Sequence, residues 1–305
     1  MLYTRYMPTF DHIAIIYNPG STGDAPDMAK NLAEQIDDHH KTIGRKARLT
    51  PTKHAGHAIE LARDVALKYK RPLIISVSGD GGYNEVINGA MQAKEQSVTA
   101  QPVTAVVGAG NANDHRRVMR DRPLIELIKS GNVKSFDLIH IDASAKDFSL
   151  SRYAHSYIGY GITPQVGHEL NKHGKSLLHE IKSILRTYRT YAPFTIEHGG
   201  ERHLLDNLLF ANINEMAKFI KLDAKNTVHD DKFEVIALRH RSKTRMLFTL
   251  LRAAVFGFRD HPSYTHYELK TLKKLPIQLD GEVEWLPKSC TAVITSKHAA
   301  IDSLF

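Results

Sequence analysis

The chain has 305 residues, 42% of them apolar, a length that suggests about two domains and a composition that excludes a disordered chain. No apolar run reaches the ~18 residues of a membrane span; the nearest, 246–258, contains Arg252, and the single Cys290 excludes an internal disulfide and a cysteine-based zinc site. Residues 1–10 lack the apolar segment of a signal peptide, so a soluble, cytoplasmic setting is expected, and the net charge of +8 points to anionic partners.

In chain order, 12–17 (HIAIIY) reads as a buried strand that enters a Gly/Ser/Thr loop, and 25–39 as a helix. A short strand at 47–50 precedes a helix at 55–69 with Ala58, Leu61, Ala62 and Val65 on one face. Strand 72–77, helix 83–93 and strand 102–107 follow. Continuous apolar strands alternating with helices predict a parallel sheet covered on both faces. Near residue 133 the pattern changes. Residues 135–142, 150–160, 194–198, 204–213, 233–239, 264–269, 275–279 and 291–295 come closer to the alternation of antiparallel strands. Helical stretches at 164–191 and 242–258 interrupt them. The expected organisation is therefore an α/β domain, 1–133, and a β-rich domain, 134–296.

Three loops follow strands of the first domain, at the strand ends where parallel α/β sheets bind ligands. They are Asn18-Pro19-Gly20-Ser21-Thr22-Gly23, Ser78-Gly79-Asp80-Gly81-Gly82-Tyr83-Asn84-Glu85, and Gly108-Ala109-Gly110-Asn111-Ala112-Asn113-Asp114. Glycines admit phosphate oxygens close to the backbone, and free amides at a helix start favour negative charge. Each loop alone also reads as a tight strand-to-helix turn.

Together and in this order, the NP-x-S-x-G, GDG-x-x-x-E-V and G-x-x-ND loops resemble the diacylglycerol kinase catalytic-domain family, whose nucleotide domain is related to those of NAD kinase and phosphofructokinase. Tyr157–Gly161 (YIGYG), Asp230-Asp231 and Asp280-Gly281-Glu282 extend the resemblance along most of the chain. It implies ATP and Mg²⁺ as cofactors and a lipid hydroxyl, most simply that of diacylglycerol, as acceptor. A sphingoid base, a polyprenol or a soluble alcohol remain alternatives, as does a nucleotide-binding regulator with weakened catalysis. It further implies that Asn18 to Gly23, Thr52, Gly79 to Gly82, Glu85, Gly110, Asn111, Asn113 and Asp114 bind the nucleotide. By the same resemblance Asp80 is central to the metal–phosphate network, Asp230 binds Mg²⁺, and Glu282 is the general base. Residues 297–305 would return to the first domain as a short helix.

The chain departs from the family pattern at several points. GGDGT reads Ser78-Gly79-Asp80-Gly81-Gly82, GTxND has Asn111 for its threonine, the aromatic after ND is His115, and the glycine after Asp230 is Asp231. The first loop is one residue longer than usual. From spacing alone, Glu282 reads equally as an exposed glutamate beside a D-G hairpin turn.

Other motifs are weaker. Gly167 and Gly174-Lys175-Ser176 are too far apart for a P-loop, and His168 and His173 lie five apart rather than the four of a helical zinc motif. His39, His40, His54 and His57 read as surface residues. Lys175, Lys182, Arg186 and Arg189, and Arg245, Arg252 and Arg259, lie off the apolar stripes of the two interrupting helices. They fit either a solvated face or a surface that docks on anionic lipid. No motif for nucleic acid is present.

Overall fold

The computed structural model describes residues 10–40, 46–120, 122–162, 192–216, 220–221, 227–241, 248, 252 and 261–304. The helical stretches expected at 164–191 and 242–258 lie outside the described residues, apart from Phe248 and Arg252. No helix among the described residues is long and apolar enough to cross a membrane. The chain divides into two compact units, 1–136 with 299–305, and 137–298.

The first unit alternates β1 (His12–Tyr17), α1 (Ala25–His40), β2 (Arg48–Pro51), α2 (His57–Lys68), β3 (Pro72–Ser78), α3 (Asp80–Gln96) and β4 (Val103–Gly108). The strands pair in parallel in the order β2-β1-β3-β4. Every residue of β3 is buried, as a strand covered on both faces requires. On α1, Ala25, Ala29, Leu32, Ala33 and Ile36 recur at helical spacing and pack with β1 and β3 residues in one core. Small residues bring α2 and α3 together: a Cβ on Gly89 would lie 2.2 Å from Ile59 O and 2.9 Å from Ala62 Cβ. Two short helices not expected from the sequence follow, α4 (Asp114–Met119) and α5 (Leu124–Ser130). Neither has a side-chain N-cap to announce it.

The second unit is built of antiparallel strands. These are β5 (Val133–Ala145), which begins in the first unit, β6 (Phe148–Ala154), β7 (Tyr157–Gly161), β8 (Phe194–His198) and β9 (Glu201–Ala211). A two-residue ladder, β10 (Glu215–Met216) with β11 (Ile220–Lys221), precedes β12 (Phe233–Arg239) and β13 (Ser263–Tyr264). Then come β14 (His266–Thr271), β15 (Leu275–Leu279), β16 (Glu282–Leu286) and β17 (Thr291–Leu304). The order runs β16-β15-β7-β9-β8-β14-β17, with β12 also on β9. Tyr160, Phe194, Phe210 and Phe233 fill its core, and Gly161, at φ +85°, leaves no room for a Cβ beside Asp206 O and the Phe194 ring.

Two sequence expectations are corrected. The single strand expected at 150–160 is broken at His155-Ser156, because three consecutive amides there turn to a carboxylate from elsewhere in the unit. The C-terminal helix is instead the end of β17, a strand that bends at Ala299 (φ 44°). Its Asp302 and Ser303 pair in parallel with Val103 and Thr104 of β4, and the Ser303 hydroxyl donates to Thr104 O at 2.8 Å. Strand pairing overrides the helical preference of Ala299-Ala300.

Candidate functional site

In the first unit the three glycine loops converge. The Gly23 N–H donates to Ala109 O at 2.7 Å, and a Cβ on Gly23 would lie 2.8 Å from that oxygen. A Cβ on Gly110 would lie 2.4 Å from Gly79 Cα, so the second and third loops touch backbone to backbone. Asn113, left-handed at φ 52°, closes the third loop by exchanging hydrogen bonds with Gly110: its Oδ1 accepts at 2.9 Å and its Nδ2 donates at 2.8 Å. Asn18 closes the first loop in the same way, its Oδ1 accepting from the Gly20 N–H at 2.9 Å and its carbonyl from Ser21 N–H. Amides 20, 21 and 23 are thus already used within the protein.

The amides that remain suited to an anion belong to α3. Its N-cap is Gly79, with no side chain closing the helix start, and Gly81 and Gly82 keep that start uncluttered. Asp80, the first helical residue, points its carboxylate away from its own helix. Oδ2 accepts from Asp114 N–H at 3.2 Å and Oδ1 from His115 N–H at 3.4 Å. A carboxylate oxygen retains a second lone pair for a metal-bound water. The donor set therefore fits a phosphate at α3 and a magnesium ion beside Asp80.

Other expected nucleotide residues have structural duties here. Both oxygens of Glu85 hold the start of α2, accepting from Gly56 N–H at 2.7 Å and Ala58 N–H at 3.1 Å. Thr52 is tied by its N–H to Tyr17 O, at the end of β1. Asp114 is fully buried and pairs with Arg117 at 3.0 Å. His115 is buried with its ring 5.3 Å from that of Tyr83 and 5.2 Å from that of Phe136, so an imidazole fills the space of the family's aromatic.

The departure at Gly82 also has a structural reason. A Cβ there would lie 2.5 Å from Ser78 Oγ and 2.7 Å from Ser78 Cβ. The serine that replaces the family's first glycine occupies the space its threonine would need. The buried Ser78 hydroxyl bonds Ser76 Oγ at 2.7 Å and Gly79 O at 3.0 Å. The two replacements are one exchange, and it turns the hydroxyl inward.

In the second unit, Asp280 (φ 47°) and Gly281 (φ 102°) form the two-residue turn between β15 and β16. Asp280 is fully buried. Its carboxylate accepts from His155, Ser156 and Tyr157 N–H at 2.6, 3.0 and 2.8 Å, with His155 Nε2 at 3.4 Å. Glu282 opens β16 opposite Leu279, immediately after the turn, with its side chain exposed. Asp230 is exposed on a turn whose next residue, Asp231, keeps the left-handed backbone (φ 58°) that the family's glycine would supply. Asp231 N–H donates at 2.7 Å to the buried Asp137, which also holds His298 at 3.0 Å. Asp137 and Asp280 were not anticipated: nothing local marks an aspartate whose partners lie 94 or 125 residues away.

Among the described residues, His54, His57 and Glu60 are the group whose ligand atoms lie within 4.8 Å of one another. His57 Nδ1 accepts the Lys53 N–H at 3.0 Å. That bond puts the ring proton on Nε2 and leaves no lone pair there for a metal.

Residues 12–141 match the diacylglycerol kinase catalytic domain. Over 288 residues the chain is 24% identical to a diacylglycerol kinase of Bacillus subtilis, covering 88% of each, and it is 25% identical to that of Staphylococcus carnosus, covering 88% of this chain and 87% of the relative. A 100-residue stretch is 35% identical to sphingoid long-chain bases kinase 1 of Arabidopsis thaliana, spanning 32% of this chain and 13% of that protein. A crystal structure of a diacylglycerol kinase from Bacillus anthracis shares the fold, with a TM-score of 0.70 over 97% of both chains and 18% identity.

Proposed function

We propose that this chain, whose residues 12–141 match the diacylglycerol kinase catalytic domain, is an ATP- and Mg²⁺-dependent lipid kinase that phosphorylates a hydroxyl of diacylglycerol or a related lipid. The observation that carries the reading is the α3 start: a helix N-terminus without a side-chain cap, ringed by two other glycine loops and flanked by Asp80. Bound ATP would supply the phosphoryl group and Mg²⁺ would neutralise charge on its oxygens.

The chain's own contribution follows from its geometry. First-turn amides of α3 hold phosphate oxygens. Asp80, fixed by two amides of α4, presents a carboxylate of set orientation to the metal's water shell. Asp230, exposed on its Asp137-anchored turn, offers an oxygen ligand of the kind a magnesium ion takes. Glu282, held at the end of the Asp280 turn, accepts the proton of the lipid hydroxyl. The net charge of +8 suits approach to an anionic membrane surface, where such an acceptor resides.

The test is incubation of the purified protein with ATP, Mg²⁺ and separate diacylglycerol, sphingoid-base and polyprenol acceptors, with mass spectrometry of the lipids. Phosphatidic acid is the expected product. A phosphorylated sphingoid base instead would favour the acceptor suggested by the Arabidopsis relative's name. ATP binding with no product on any acceptor would favour a regulator, a reading supported by the inward-turned hydroxyl of Ser78.

A further inference from the structure

β16 forms one edge of the second unit's sheet, and its fourth residue, Trp285, is the single tryptophan of the chain. The indole is 52% exposed, although tryptophan is highly buried on average. Lys274 Nζ lies 5.1 Å from its ring centroid, over the face. Side chains alternate along the strand, so Trp285 stands on one face and Glu282 and Glu284 on the other. At this end of the strand, residues 272–274 and 287–289 are locked together by the buried Thr271. Its hydroxyl donates to Pro287 O at 2.6 Å and accepts from Cys290 N–H at 3.0 Å, and its carbonyl accepts from Ser289 N–H at 2.9 Å. The two segments carry Lys273, Lys274 and Lys288, all exposed, and no acid. None of these lysines pairs with a carboxylate; Lys273 makes only a 3.4 Å contact to Pro193 O, which leaves its charge uncompensated.

We propose that this end of the second unit docks on an anionic bilayer, with Trp285 seated among the headgroups and the three lysines against their phosphates. An indole has an apolar body and a polar N–H, a combination that suits the membrane interface. Lysine ammonium groups are drawn to a negative lipid surface, while their alkyl stems cover apolar surface. The Thr271 clamp already holds indole and cations together, so contact requires little further ordering. The choice of a bilayer as partner rests on the lipid-kinase reading. Glu282, the base in that reading, lies three residues from Trp285, roughly 10 Å along the same strand. Docking through Trp285 therefore brings Glu282 to the surface where a lipid hydroxyl is found.

Because the chain has one tryptophan, its emission reports this surface alone. The full chain, without nucleotide, is titrated with vesicles of phosphatidylcholine alone and with phosphatidylglycerol added, and sedimentation is measured in parallel. A blue shift and quenching by brominated acyl chains are expected with the anionic vesicles only, weakening as salt is raised. Each lysine at an anionic surface contributes ~5-fold to partitioning, so Lys273→Gln/Lys274→Gln/Lys288→Gln should weaken it ~10²-fold. The control Lys30→Gln/Lys129→Gln/Lys146→Gln, exposed positions elsewhere, should lose less than tenfold. Sedimentation with unchanged emission, equal loss in the two triple variants, equal binding to neutral vesicles, or no binding would each overturn the proposal. Turnover on an acceptor dispersed in neutral detergent micelles reads the kinase proposal separately: it survives loss of the docking surface, and its absence leaves the vesicle result standing.

Discussion

The exchange between Ser78 and Gly82 makes a quantitative prediction about coupling. Introducing Gly82→Thr, the residue of the family pattern, places a Cβ 2.5 Å from Ser78 Oγ. Ser78 cannot retreat cheaply, since it is buried in a strand whose every residue is buried. Overpacking of this kind costs about 1–3 kcal/mol. Displacing the Ser78 hydroxyl from Ser76 Oγ adds about 1 kcal/mol. The gain from removing a helical glycine, at most about 1 kcal/mol, offsets only part of this. A net loss of about 1–3 kcal/mol is therefore expected. In a Ser78→Gly background the obstacle is gone, and the same substitution should be close to neutral or stabilising. The four proteins of this cycle would be compared by urea unfolding, with amide exchange in α3 to identify the transition that contains it. A coupling energy of about 1–3 kcal/mol is expected, and additivity within about 0.5 kcal/mol would refute the reasoning. The double variant also restores an outward hydroxyl beside α3, so its ATP affinity should match or exceed that of the parent.

Further outcomes follow from the acidic residues. Asp280→Ala strands three buried amides, so the second unit should lose about 3 kcal/mol or more, read as an earlier urea midpoint; an unchanged midpoint would mean those amides are satisfied elsewhere. Asp80→Asn should fold, since an amide oxygen can still accept from α4, yet turn over at least ~100-fold more slowly. Near-parental turnover by that variant would remove Asp80 from the metal–phosphate role. Glu282→Gln should lower turnover ~10²–10⁴-fold while leaving ATP affinity unchanged by calorimetry; loss of ATP binding would move Glu282 to the donor side.

What could be read from the sequence follows from how local each cause is. The strands of the first unit were legible because a doubly covered strand is close to continuously apolar, as Leu73, Ile74, Ile75 and Val77 show. The loops were legible because close backbone approach demands glycine, and Gly79 and Gly110 do lie against each other. The break after Ala154 was not legible: the pattern from 150 to 160 suits one strand, and its interruption depends on Asp280, over 120 residues away. The final strand was missed because Ala299-Ala300 favours a helix locally, whereas pairing of Asp302 and Ser303 with β4 decides it. The glycine of the family pattern after Asp230 is replaced by Asp231, which adopts the left-handed backbone itself. The missing threonine became intelligible only when Gly82 was seen against Ser78.

The carboxylates at the candidate sites fall into two sets with different physical tasks. Asp114, Asp137 and Asp280 are buried and each is bound to a guanidinium, an imidazole or backbone amides. Beside each stands an accessible acid or the segment that fixes one. Asp114 gives its N–H to Asp80, Asp137 anchors the residue after Asp230, and Asp280 sets the turn that ends at Glu282. A buried acid is satisfied by fixed donors, so its removal leaves those donors stranded and is felt as stability. An acid that meets a metal or a hydroxyl acts on the reacting groups themselves, so its removal is felt as rate. The two sets are therefore separable by experiment: variants of the buried acids should shift unfolding midpoints, whereas Asp80→Asn, which keeps an oxygen to accept from α4, Asp230→Asn and Glu282→Gln should leave midpoints near the parent and lower turnover. An accessible acid whose loss unfolded its unit while sparing the turnover of the folded fraction would belong with the scaffold, and its chemical role would pass to another residue.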